Sequence, residues 1–171
     1  MSFVRTTLLR HCLAATLGAT AIASAAPAFA DAASQPAVAT APAKGVIHVV
    51  SNYGFDETVS RLKDDIAGKG IMFFDAIDHQ ALGKGAGLDV RRSTLLLFGN
   101  PPLGVQFLEA NPLAGLDWPV RMLVTEDADG KVHIAWSDFA FIADRYAIGN
   151  RGAQFKMAGE VAASIASAAQ R

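Results

Sequence analysis

Cysteine occurs once in these 171 residues, at Cys12, within a stretch that reads as a removable leader. Once that leader is gone, no thiol nucleophile, thiolate-bound metal or disulfide is available. The remaining domain must hold together through its apolar core, which its size permits. Excess positive charge is lacking too. The chain has 15 Lys plus Arg against 16 Asp plus Glu, and nothing resembles the clustered basic footprint of a nucleic-acid binder. There is no Walker loop, dinucleotide fingerprint or G-x-S-x-G elbow: the G-K-G-A-G run at residues 83–87 precedes a strand rather than following one.

The N-terminal segment accounts for the apolar run that is present. Basic Arg5 and Arg10 lead into an Ala-rich stretch from Cys12 that ends at Ala28-Phe29-Ala30. These are the three parts of a Sec-type signal peptide over residues 1–30, cleaved near Ala30, and they imply a periplasmic or secreted protein. The stretch is short and rich in small residues for a spanning helix, so no stable membrane span is expected after cleavage. Removing it leaves 13 basic against 16 acidic residues, a net charge of −3. Residues 31–44, rich in Ala, Pro, Ser and Thr without apolar periodicity, read as a flexible linker. A single domain over residues 45–171 follows.

Within that domain the pattern is α+β. Residues 46–51, 71–77, 92–98, 119–126 and 131–137 read as strands. A helix from about Asp56 carries Phe55, Val59, Leu62 and Ile66 as its buried stripe, and Gly68 and Gly70 end it. Residues 78–87 form a helical or looped crossover. The nearly continuous apolar run at residues 94–98 implies a strand that is central or buried on both faces. Asn100 caps the next helix with Pro101 in its first turn, and Asn111-Pro112 stops it. Asp127 to Gly130 turns an antiparallel hairpin. A short helix covers residues 139–147, and Phe155, Ala158, Ala162, Ile165 and Ala169 give the closing helix a stripe of mostly small residues for close packing.

Asp78-His79, then L-L-F-G-N-P at residues 96–101, Ala110-Asn111-Pro112 and E-D-A-D-G-K-V at residues 126–132 together resemble the family catalogued as domain of unknown function 302. The resemblance implies a small α+β fold similar to the TATA-binding-protein-like β-α-β-β-β-β-α arrangement, often dimeric, with no established activity. Two places depart from its pattern. Trp136-Ser137-Asp138-Phe139 stands where many members carry Tyr-x-Asp-Pro, and Arg145-Tyr146 stands where an Arg-His pair is usual.

Candidate chemistry is sparse. Asp78 beside His79 suits an oriented base, although a helix cap with a solvated imidazole explains the same pair. Gly99-Asn100 opens a helix, but Pro101 and Pro102 delete two of the N–H groups an anion would need, so capping is the simpler role. Glu126, Asp127 and Asp129 lack the length and closing glutamate of a calcium loop, and a hairpin turn explains them. His48, His79 and His133 show no ligand spacing, so neither metal nor cofactor is expected. Phe73, Phe74, Phe98, Phe107, Trp118, Trp136, Phe139 and Phe141 serve either as core or as a pocket lining. Phe139, Phe141 and Ile142 offer apolar side chains on more than one helix face, as a homodimer contact or pocket lid requires.

These features favour an exported binding domain, for a small molecule near Asp78, His79, Gly99, Asn100 and Glu126 or for a second copy of itself. A cofactor-independent acid/base enzyme is the alternative, with His79 as base, Asp78 or Glu126 orienting it and Asn100 stabilising charge. A structural or chaperone-like envelope role is the third reading.

Overall fold

The computed structural model describes residues 43–171, so the expected leader and nearly all of the linker lie outside the described residues. Five strands form one antiparallel sheet: β1 (Val46–Val50), β2 (Met72–Asp78), β3 (Ser93–Gly99), β4 (Val120–Glu126) and β5 (Val132–Ser137). Their order is β1-β5-β4-β3-β2, which leaves β1 and β2 as edges. The β4–β5 hairpin turns at Asp127–Gly130 as its residues dictate. The Asp127 carboxylate accepts from the Asp129 and Lys131 N–H groups, and Gly130 takes φ +76°.

The helices are α1 (Phe55–Gly68), α2 (His79–Gly85), α3 (Pro101–Ala110), α4 (Phe139–Arg145) and α5 (Gly152–Ser167). A 3₁₀ segment, Pro112–Asp117, joins α3 to β4, where the sequence showed only a helix stop. Helix α1 ends in a glycine stop: the Ile71 N–H reaches the Ile66 carbonyl, the Gly70 N–H reaches Ala67, and Gly70 has φ +64°. Its fully buried residues are Phe55, Thr58, Leu62 and Ile66, and the expected Val59 is half-buried against the same core. Polar bonding explains the burial of Thr58. The Thr58 and Ser51 hydroxyls lie 2.7 Å apart, and Ser51 donates to the Ala169 carbonyl, tying β1, α1 and the C-terminus together.

One face of the sheet is covered. Leu96 and Phe98 of β3, Met122 and Val124 of β4 and Ile134 and Trp136 of β5 are buried in one core with Leu62, Ile66, Phe107, Phe155 and Ile165 from the helices. The intervening residues Leu95, Leu97 and Leu123 are only half-buried. Strand β3 therefore has neighbours on both sides but is fully buried on one face alone. Its run of leucines reads as two-faced burial because alternation of leucine with leucine hides the period of two.

Candidate functional site

At the C-terminal end of β3 the packing leaves an apolar cavity of about 390 Å³. Phe98 and Gly99 form its floor, Leu103, Gly104 and Phe107 of α3 one wall, and Ala158, Val161 and Ala162 of α5 another. Trp118 and Phe139 complete it, while Lys69, Asn100 and Met157 also line it. The small residues of α5 that suit close packing here leave space instead. Phe107 stacks on Phe155 with ring centroids 4.2 Å apart, which holds the α3 wall against α5.

Two glycines set the position of Trp118. A Cβ on Gly104 would fall 1.8 Å from its indole nitrogen, and one on Gly99 would fall 3.2 Å from it. The ring can therefore lie against strand end and helix only where neither bears a side chain. Its outer edge meets Phe74 at a centroid distance of 5.8 Å, in edge-to-face geometry. Asn100 acts as read from sequence: its side-chain oxygen accepts from the Leu103 N–H at 3.3 Å. Of the aromatic residues singled out in the sequence, Phe98, Phe107, Trp118 and Phe139 line this cavity.

The other candidates stand elsewhere. Asp78 pairs with Thr94 whereas Met72 pairs with Gly99, so Asp78-His79 and Gly99-Asn100 sit at opposite ends of β3. Those ends are about 20 Å apart at the usual strand rise. Asp78 caps α2 by accepting from the Ala81 N–H at 3.0 Å, and His79 Nδ1 lies 2.9 Å from the Ser93 hydroxyl. Glu126 shares the strand parity of Met122 and Val124 on the helix-covered face, while Ser93 shares that of Leu95 and Leu97 on the other. Among the described residues His79 and Glu126 make no hydrogen bond to each other, and the catalytic constellation does not assemble. The expected dimer patch is also redirected. Phe139 and Ile142 are buried in the protein's own core, and the Phe141 ring covers Gly45. A short helix lying flat on its neighbours uses more than one face for packing.

A buried carboxylate beside Trp118 escaped the sequence reading. Asp117 receives a hydrogen bond from the Tyr146 hydroxyl at 2.6 Å and ion-pairs with Arg121 and with Arg145, the latter at 3.2 Å. Its charge beside the phenol pushes the Tyr146 pKa up, chiefly through that hydrogen bond. Asp117 thus clamps the 3₁₀ segment to β4 and α4. Tyr146, standing where the family pattern has histidine, is its hydrogen-bond donor. On the open sheet face His48 stacks on His133 at 4.8 Å, and His133 Nε2 lies 2.8 Å from Asp127. Among the described residues no group of acidic or histidine side chains is arranged to hold a metal ion.

Residues 47–171 match the family model described as domain of unknown function DUF302. The chain belongs to the DUF302 family. A crystal structure of an uncharacterized conserved DUF302 protein from Bacillus stearothermophilus superposes with a TM-score of 0.68, at 18% identity, over 74% of this chain and 99% of the other. At that identity the likeness concerns the fold. The fluoride-specific ion channels FluC 1 of Brucella suis biovar 1 and FluC 1 of Brucella abortus biovar 1 are each 35% identical over 105 residues, 61% of this chain. The match spans 41% and 39% of their respective lengths. No helix among the described residues of this DUF302 chain is long and apolar enough to cross a membrane.

Proposed function

We propose that this DUF302 domain binds a small, largely apolar molecule in the cavity between α3, α5 and the end of β3. The observation that carries the reading is the cavity itself: about 390 Å³, walled by aromatic and aliphatic side chains, with few polar groups at its edge. That size and lining are those of ordinary small-molecule pockets. Titration with the neutral fluorophore N-phenylnaphthylamine tests it. Saturable binding is expected in the wild type and its loss in Val161→Phe, which fills the cavity from α5. Equal binding by both would overturn the reading. Channel activity is not carried over from the Brucella relatives.

Export completes this reading, with residues 1–30 as leader and residues 31–44 as linker. The intact mass of the protein from its native source, starting at Asp31, tests that. Self-association is a second reading, favoured by the open sheet face. Leu95, Leu97 and Leu123 are only half-buried there, and Val46 and Val50 on edge strand β1 are 37% and 47% exposed. Sedimentation should give a dimer for the wild type and a monomer for Leu97→Lys; a monomer in both rejects it.

A further inference from the structure

We infer that the ligand of the apolar cavity carries an acidic head, as a medium-chain fatty acid or an aryl carboxylic acid does. This rests on the cavity being a binding site, and it adds which end of the ligand is polar and with what charge.

The argument is the sign of the polar lining. Among the side chains that line the cavity, the only ones with nitrogen or oxygen belong to Lys69, Asn100 and Trp118. The Asn100 oxygen accepts from the Leu103 N–H, which leaves its amide two N–H donors and one lone pair. The Trp118 indole can only donate, and an ammonium can only donate. No Asp or Glu lines the cavity. A ligand group able to accept several hydrogen bonds therefore finds donors on all three side chains, and one that must donate finds only the second lone pair of Asn100.

Charge selects an acid over a neutral acceptor. The Lys69 ammonium pairs with Asp65, which uses one of its three donors. Asp65 is itself shared, because Arg171 lies 3.8 Å from its other oxygen. In the adjoining groove, which Lys69 joins to the cavity, Arg61 is paired with Glu57 at 2.9 Å, while Lys69 and Arg171 share the single carboxylate of Asp65. A carboxylate at the mouth meets an ammonium whose own counter-ion is shared with Arg171, while its hydrocarbon or ring lies over Phe98, Phe107 and Val161. The volume, near the small end of ligand pockets, excludes a whole two-chain lipid and suits one chain or ring system.

Isothermal titration of the full chain with decanoate and with decanol, below their aggregation concentrations, separates head from tail. Decanoate is expected to bind about tenfold more tightly, the scale of one charge-assisted hydrogen bond discounted for solvent exposure. Lys69→Met should narrow that gap. Asn100→Asp, which keeps a good helix cap but replaces the amide donor with a charge, should narrow or reverse it. Equal affinity for the two ligands in the wild type, or an unchanged gap in both variants, would overturn the acidic head while leaving apolar binding intact. Binding of neither ligand would overturn the cavity as a site altogether.

Discussion

The two ends of β3 use opposite chemistry. At its C-terminal end stand Gly99, Trp118, Phe107 and the small residues of α5, and they enclose empty volume. Around its N-terminal end stand Asp78, His79, Ser93, Asp127 and His133, and each is tied to a near neighbour. Asp78 caps α2, His79 meets Ser93, and Asp127 closes its turn and bonds His133. Reactive-looking residue types thus lie where local bonds engage them, with only His133 Nδ1 among these left buried and unpaired, and the space for a ligand lies where the residues carry almost no chemistry. A titratable side chain signals a site only if its bonding capacity is left over after the local backbone has been satisfied.

Paired substitutions test that contrast most directly. Phe107 is 4% exposed and stacked on Phe155, so Phe107→Ala should destabilise by about 3–5 kcal/mol and alter probe binding at the cavity. Asp78→Ala at the opposite end removes one helix cap, worth about 1 kcal/mol, and should leave probe affinity as it was. Denaturant unfolding together with probe titration reads both quantities. If Asp78→Ala weakened the probe as strongly as Phe107→Ala, the two ends would be coupled and the contrast would fail.

Local rules made much of the fold legible in the sequence. The β4–β5 hairpin follows from Asp127 and Gly130, the start of α3 from Asn100 and Pro101, and the α5 stripe from its helical spacing, because each depends on residues within a few positions of one another. The misses are long-range. Thr58 is buried beside Val59 in the α1 stripe only because Ser51, itself held by the Ala169 carbonyl, comes to meet it. Asp117 finds Tyr146 and Arg145 across 29 and 28 residues. The cavity depends on Gly99 and Gly104 both lying under Trp118, which neither glycine announces. Asp78, His79, Asn100 and Glu126 formed a plausible set on paper because strand ends were identifiable. Which end of the sheet each occupied was set by antiparallel pairing.

The smallest expected effect is one of pH, and it separates the ends again. His48 has its pKa held below the ordinary imidazole range, first by burial and then by the neighbouring His133. Asp127 is held below the ordinary carboxylate range, first by its hydrogen bond from His133. As pH falls through about 6.5 the unfolded chain protonates His48 while the native state resists, so the unfolded state binds more protons and stability declines. That contribution is fully present above about 6.5 and is lost as pH falls through the lower folded value. The Asp127 contribution is fully present above the ordinary carboxylate range and is lost as pH falls from there through its own depressed value. His48→Gln should therefore flatten the slope of unfolding free energy between about pH 7 and 5 and leave the steeper acid limb in place. No histidine or carboxylate lines the cavity, so affinity for the neutral probe should stay level across the same window. An unchanged slope in His48→Gln would assign the decline to other groups. A probe affinity that fell in step with stability would show that the polar end communicates with the cavity after all.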